Sequence, residues 1–359
     1  MIWGKKYNVY LKPISHVCVG SGEEYQSYEY IRDTKEKKIY LLDDNKIMEL
    51  IREGIIKVED IDVGLKELLN IIKEKDILHR FKSAYIDNCN KLVIKKFYKT
   101  LSIVDDEKIE YIATIPASTI KGLIRSGYDS YIIKVKNKKI RYKYIRKVEK
   151  DQNNKSKMKY KLKGICNEKK LLDNNNAFEN NLLEKNLDQL FSKIKVNDLF
   201  ISEDKFLNIK KAHRYNRKKC KTVISSYYEA VDSEATFYGS IQLQDDESIL
   251  MNAIKGLKEL ATSNIKVERK LLKEVVEKCF YEKLEEENRK EYQAVVKIGF
   301  GGLIGKTFVS YDEKSNERYD DEFLPYTILT TESSYKYGKF KKQKPMGWAV
   351  LTIKENKED

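Results

Sequence analysis

At 359 residues the chain has room for two ordinary domains, or for one core with large insertions. No run approaches the roughly eighteen apolar residues of a membrane span, and five singly scattered cysteines (Cys18, Cys89, Cys166, Cys220, Cys279) argue against a disulfide framework or a thiolate zinc site. A net charge of +14 and a pI near 9.1 point to a polyanionic partner.

"KKYNVYLKPISHVCVGSG" alternates apolar residues at Tyr7, Val9 and Leu11, which predicts a strand closed by Pro13 and the Gly20-Ser21-Gly22 turn. The N-terminus lacks a continuous apolar core and a small-residue cleavage site, so it does not read as a signal peptide. A reducing cytoplasm is the expected compartment. "YIRDTKEKKIYLLD" predicts a hairpin. From Asn45 to about Lys99 the period becomes helical, with Ile47, Leu50 and Ile51 on one face and Leu65, Leu68, Leu69 and Ile72 on another. We take 45–109 as a helical insertion between core elements 1–44 and 110–133, where "KIEYIATIPASTIKGLIRSGYDSYI" returns to strand, turn and helix.

Residues 134–195 are basic and then Asn-rich, and predict a basic, partly mobile insertion. Between Lys134 and Lys170 there are 16 Lys/Arg against 3 acidic residues, a local excess of +13. Compositional bias alone, in a chain rich in Lys, Ile, Asn and Tyr, would spread that charge more evenly. Residues 196–359 form the C-terminal half of the core. "IKVNDLFI" and "TVISSYYEAVDSEATFYGSIQLQ" read as strands, and "DESILMNAIKGLKELA" and "RKLLKEVVEKCFYEKLEEENRKEYQAVV" as helices. A glycine loop, a polar stretch and the strand "GWAVLTI" follow. The irregular alternation predicts one composite α+β module, 1–359, with insertions, and not a doubly wound parallel sheet.

Several stretches bear on chemistry. "GFGGLIGKTF" looks like a phosphate-binding loop, but the position that needs the first glycine holds Phe300, and no apolar strand ending in Asp follows. An NTPase is therefore excluded. The three histidines have no metal-ligand spacing, and neither a metal nor a cofactor is expected. His79 reads as a solvated or packed helix residue, while His16 beside the glycine turn could act as an acid or base on RNA, stabilise the turn or contact a ligand. In "IPASTIKGLIRSGY", Ser118 or Thr119 is placed to cap a helix. Its first turn, with Lys121 and Arg125, would make either a phosphate site or an ordinary capped helix with solvated cations. "KKAHRYNRKKCK" carries seven Lys/Arg with His213 and Tyr215. Arg214, Arg217 and Lys218 would there meet single-stranded RNA, or belong to a solvated basic loop.

Together, "PISHVCVGSGEEY", "IPASTIKGLIRS" and "KIGFGGLIGKTF" before "PMGWAVLTI" resemble the RAMP superfamily of CRISPR proteins. "VNDLF" and "YYEAVDSEATFYGSI" are similar to its central strands, with Asp198 and Glu229 at recurrent acidic positions. The Gly-Trp-bearing last strand and the length are most like the subunit-five branch, which caps the filament of type III-A Csm complexes near the 3′ end of the guide RNA. The resemblance implies a ferredoxin-like (RRM-like) core and guide-RNA contacts at His16 and Ser21. It also implies backbone contacts from Ser118, Thr119, Lys121 and Arg125, and from a loop of Gly299, Gly301, Gly302, Gly305 and Lys306. Phe300 would be a core anchor or a stacking face. The family's "PGSS" is "PAST" here, so Ala117 replaces a glycine.

The expected function is that of a non-catalytic, RNA-binding structural subunit. Its partners would be guide RNA, a related backbone subunit, other subunits of a type III-A effector complex and possible target RNA. One alternative is a metal-independent endoribonuclease processing guide precursors through His16. Another is a backbone subunit cleaving target RNA, with Asp33 as the catalytic carboxylate in place of an ordinary hairpin Asp.

Overall fold

Tyr7, Val9, Leu11 and Pro13 are buried and alternate with Lys6, Asn8, Tyr10 and Lys12, the two-residue period of a strand covered on one face. The computed structural model describes residues 4–26, 29–33, 38–42, 44–62, 65–81, 83–85, 97–100, 102–105, 110–131, 191–202, 206–216, 221–244, 247–273, 275–300, 311–312, 317–318, 326–331 and 343–356. The first elements are β1 (Lys6–Pro13), β2 (Gly20–Glu24), β3 (Tyr30–Asp33), β4 (Lys38–Leu41), α1 (Asp44–Arg52), α2 (Glu59–Asp62) and α3 (Leu65–Glu74). Next come β5 (Ser83–Tyr85), β6 (Phe97–Thr100), β7 (Ser102–Asp105), β8 (Glu110–Ile115), α4 (Ala117–Ser130), β9 (Ile194–Val196), β10 (Leu199–Ile201), β11 (Leu207–Asn216) and β12 (Lys221–Val231). The remainder are β13 (Phe237–Leu243), α5 (Ser248–Leu271), α6 (Lys278–Arg289), β14 (Gln293–Lys297), β15 (Tyr311–Asp312), β16 (Glu317–Arg318), β17 (Tyr326–Thr331), β18 (Gln343–Pro345) and β19 (Trp348–Glu355).

The largest sheet runs β14-β19-β1-β13-β10-β8-β7, with β9 also paired to β13, and its pairings are antiparallel. Within it, the chain order β1-α4-β10-β13-α5-β19 and the spatial order β19-β1-β13-β10 make a ferredoxin-like core. The expected α+β, ferredoxin-like class is therefore what the chain adopts. Ile120 and Leu123 of α4, with Leu250 and Leu257 of α5, pack on the face that carries Val9, Leu11 and Ile241. The two helices meet at Gly127 and Gly256. A Cβ built on Gly256 would lie 1.7 Å from the Gly127 carbonyl oxygen, so only glycine permits this crossing.

A second sheet runs β18-β17-β11-β12-β6-β2, with β6 parallel to β12. The segment after Pro13 passes from the first sheet to the second, where Val17 bridges to Val231. A third sheet, β3-β4-β5, is backed by the helices that follow it, through Ile31, Tyr40, Leu50, Leu68 and Ile72. Its other face carries Tyr30, Ile39 and Leu41 against Ile209 and Tyr227 of the second sheet.

Two expectations change. Helices occupy the supposed helical insertion 45–109 only as far as Glu74, apart from a short turn at Leu78–Arg80. Beyond it, "SAY", "FYKT" and "SIVD" are strands, rich in aromatic and β-branched residues and paired to β4, to β12 and β2, and to β8. "QAVVK" is also a strand and not the end of a helix. Of the basic insertion 134–195 only 191–195 lie within the described residues. There Phe191 is buried, edge-on to Tyr128 at 5.8 Å, and Ile194 begins β9.

Candidate nucleic-acid interface

The segment from Ile14 to Gly22 is held by its backbone. The amides of Ile14 and Ser15 donate to the Trp348 carbonyl at 2.8 and 3.1 Å, and the Gly347 amide donates to the His16 carbonyl at 2.9 Å. Ser15 Oγ accepts the Trp348 amide at 3.0 Å. These bonds bring together two stretches that the sequence singles out, "PISHVCVGSG" and "PMGWAV".

His16 is buried, and its Nε2 lies 3.0 Å from Asp232 Oδ1. Lys210 Nζ approaches the same oxygen at 3.0 Å, and Asn208 Nδ2 donates to Oδ2 at 2.5 Å. Burial of Asp232 acts to raise its pKa, but the His16 hydrogen bond and the Lys210 charge outweigh it and hold the carboxyl at about 2. A carboxylate that orients an imidazole is also the arrangement of a general base. Here, however, the His16 side chain is only 8% exposed, which favours a fastening role.

The stability that follows from this junction has a definite sign. It is present above the ordinary aspartate value of 3.8 and is lost as pH falls towards about 2. Asp232→Asn should therefore lower stability at neutral pH and flatten the decline in urea midpoint between about pH 4 and pH 2 relative to the wild type.

The late glycine loop starts beside the same segment. Gly299 has φ +65°, and a Cβ there would lie 2.0 Å from the Cys18 carbonyl oxygen. Both facts require glycine. The Phe300 amide donates to that carbonyl at 2.9 Å. Its ring lies over Gly20 and meets Tyr228 edge-on at 5.6 Å, against Ala212, Ala230 and Met346. This packing is that of a core anchor. Ser21, half-buried in β2, accepts the Glu23 amide on Oγ at 3.2 Å. Gly301, Gly302, Gly305 and Lys306 lie outside the described residues.

The α4 terminus departs from expectation. Neither Ser118 nor Thr119 caps it. Pro116 is the N-cap, and the Ala117 amide donates to Asp198 Oδ1 at 2.7 Å. A capping side chain reaches amides two or three residues ahead of itself. Ser118 and Thr119 already stand inside the first turn, too late to do so. The positive helix end thus faces a carboxylate at the start of the adjacent strand β10, which a phosphate would have to displace. Lys121 Nζ donates to the Ile194 carbonyl at 3.0 Å, and the Arg125 guanidinium sits 5.9 Å from the Phe191 ring centroid. Both side chains join α4 to β9 and the turn before it.

The basic stretch is a strand up to Asn216 and not a loop, with β12 on one side and β17 on the other. Arg214 stands opposite Ile224 and Ile328 in this sheet, next to an irregularity at Tyr215. Tyr215 offers no stacking face, since it is buried with Ile14 and Trp348. Arg217 and Lys218 fall outside the described residues. Asp33 ends β3, is buried, and lies 3.4 Å from Lys73 Nζ. His79 is exposed, with Nδ1 2.8 Å from the Asp76 carbonyl. Glu229, buried, accepts the Thr100 amide at 3.2 Å and so clamps β6 to β12. Asp232, with Lys210 and Asn208 bonded to it, escaped the sequence reading, because nothing local pairs it with His16.

Among the described residues no three His, Cys, Asp or Glu side chains gather closely enough to hold a metal, and no helix is long and apolar enough to cross a membrane. No family model matches the chain, and no curated protein does. Among solved structures, a chain of the cryo-EM structure of a Csm–crRNA–target RNA ternary complex from a type III-A CRISPR–Cas system aligns with a TM-score of 0.51. It shares 15% identity and covers 98% of this chain and 100% of its own. The crystal structure of T. onnurineus Csm5 aligns with a TM-score of 0.50 and 15% identity, covering 95% of this chain and 99% of its own. Across nearly its whole length, then, this chain has the fold of Csm5, in agreement with the RAMP resemblance of its motifs.

Proposed function

We propose that this protein is an RNA-binding structural subunit of a type III-A CRISPR effector complex, which holds the 3′ part of the guide RNA and caps the backbone filament. The observation that carries the proposal is the end-to-end fold match to Csm5 and to a chain of a complex that holds crRNA and target RNA. The excess of +13 between Lys134 and Lys170 supports it, since phosphate neutralisation supplies most sequence-tolerant affinity. His16, Gly20, Gly299 and Phe300 converge where the glycine-rich stretch begins. The partners on this reading are guide RNA, a related backbone subunit and the other subunits of the complex.

Affinity for a guide-length RNA should fall about a hundredfold or more between roughly 50 and 200 mM salt, measured by fluorescence anisotropy. Affinity that does not change with salt would refute the proposal. RNA recovered with the natively purified protein should carry a repeat-derived 5′ tag.

The endoribonuclease reading keeps one observation, the His16–Asp232 pair. It requires cleavage of precursor RNA in EDTA that His16→Ala abolishes. We propose instead that the protein is not an enzyme, because the imidazole is buried and already engaged.

A further inference from the structure

One face of the ferredoxin-like sheet is covered by α4 and α5, and the opposite face is open over its central strands. The register across that open face aligns Tyr10 of β1 with Tyr238 of β13, and Tyr238 with Phe200 of β10. Three aromatic residues therefore form a row across three adjacent strands. Tyr10 and Tyr238 meet edge-to-face at 5.6 Å and 83°, and Tyr238 is 48% exposed. A large ring left half in water at the centre of a sheet, braced by its neighbour, calls for a partner.

Charge identifies the partner. Lys12 stands one pleat period from Tyr10 on one side, and Lys354, opposite Asn8, stands one period away on the other. Lys6 lies one period further, and all three lysines are exposed. In the four core strands β19, β1, β13 and β10 every charged residue on this face is a lysine, and the acidic positions Glu110 and Asp105 stand on the outer strands β8 and β7. Rings flanked by cations suit a ligand with flat apolar faces joined by negative charges. Unpaired nucleobases on a phosphate chain have that pattern, whereas an apolar protein surface would gain nothing from the lysines.

We propose that this open face is a second RNA contact, on which a base of single-stranded RNA stacks against Tyr238 while Lys12 and Lys354 neutralise the flanking phosphates. The proposal rests on the RNA-binding reading above but uses a surface separate from the glycine loop and the His16 junction.

The test is anisotropy on the full chain with a labelled, unstructured oligouridylate of about 20 nucleotides. Tyr238→Ala should weaken binding about tenfold without changing the salt slope, because stacking releases no counterions. Tyr238→Phe, which keeps the ring, should stay within about twofold of the wild type. Lys12→Ala with Lys354→Ala should reduce the salt slope. Wild-type thermal melting of each variant shows that the fold is retained, as expected for exposed positions. If Tyr238→Ala binds as the wild type does, with salt dependence intact, the proposed face is wrong and the RNA-binding reading survives. If the wild type binds no RNA, both fail. Loss of assembly with partner subunits at unchanged RNA affinity would make this a protein-docking face and overturn the proposal.

Discussion

Gly256→Ala should lower the melting temperature, although the same change in an open helix is stabilising. Alanine gains up to about 1 kcal/mol over glycine inside a helix. Here the added Cβ would lie 1.7 Å from the Gly127 carbonyl oxygen and 2.6 Å from the Tyr131 amide nitrogen, both backbone atoms. No side chain can rotate out of the way, so α4 and α5 must part, and the apolar layer between them and the sheet opens with them. Overpacking of this kind costs about 1–3 kcal/mol or more, which exceeds the propensity gain. Gly256→Leu should leave no folded protein to recover. Gly122→Ala is the control. Gly122 lies in α4 with nothing near its missing Cβ, and it should be neutral or slightly stabilising. Urea midpoints of the two alanine variants, read together, separate helix propensity from the crossing. Equal stability for both would mean that α4 and α5 do not approach as described.

The second large effect is expected at Lys297. This residue is almost fully buried, with Nζ 2.7 Å from Glu268 Oε2 and 5.0 Å from the Trp348 ring centroid. Trp348 Nε1 lies 3.5 Å from the other carboxylate oxygen. The pair ties the C-terminal half of α5 to β14 and β19, two residues before Gly299. Lys297→Met would leave a buried carboxylate without its counter-charge, a loss of about 3–5 kcal/mol. Glu268→Gln, which strands the ammonium, should also be strongly destabilising. Replacing both, as Lys297→Met with Glu268→Leu, should recover most of the loss, because two apolar side chains need no desolvation. Additive losses in the double variant, measured as urea midpoints at unchanged m-value, would show that the two residues do not act as a pair. Since the pair sits at the root of the glycine loop, the single variants should also weaken RNA binding in the fraction that folds.

Much of the architecture can be read locally. The alternation of Tyr7, Val9 and Leu11 marks β1, and the spacing of Leu68 and Ile72 marks α3. Pro13 marks the exit from β1, whereas the expected Gly20-Ser21-Gly22 turn is part of strand β2, and "GWAVLTI" is the closing strand of the core sheet. The reading failed where local and distant cues compete. "FYKTLSIV" followed a strong helical pattern and was absorbed into it, yet β6 and β7 form because β12, β2 and β8 offer ladders. The α4 cap could not be read at all. Its acceptor is Asp198, 81 residues beyond the amide that donates to it, while two residues of capping type stand inside the first turn. The His16 junction is similar, with partners in β11 and just after β12.

The sequence by itself determined the alternating class of the fold, the basic stretch after α4, the absence of a complete Walker loop and the three glycine-bearing motifs. These are properties of residue type and short spacing, which no neighbour can alter. Only the tertiary structure decided which side chains remain available to a ligand. Lys121, Lys210 and Lys297 look like surface cations in the sequence, but each meets an internal oxygen. Tyr215 stands in the most RNA-like stretch and is buried, while Tyr238, in a strand without a basic residue, faces water. A two-residue period tells which side chains share a face. Whether that face is covered depends on strands and helices distant in the chain, and so does the chemistry the face can offer.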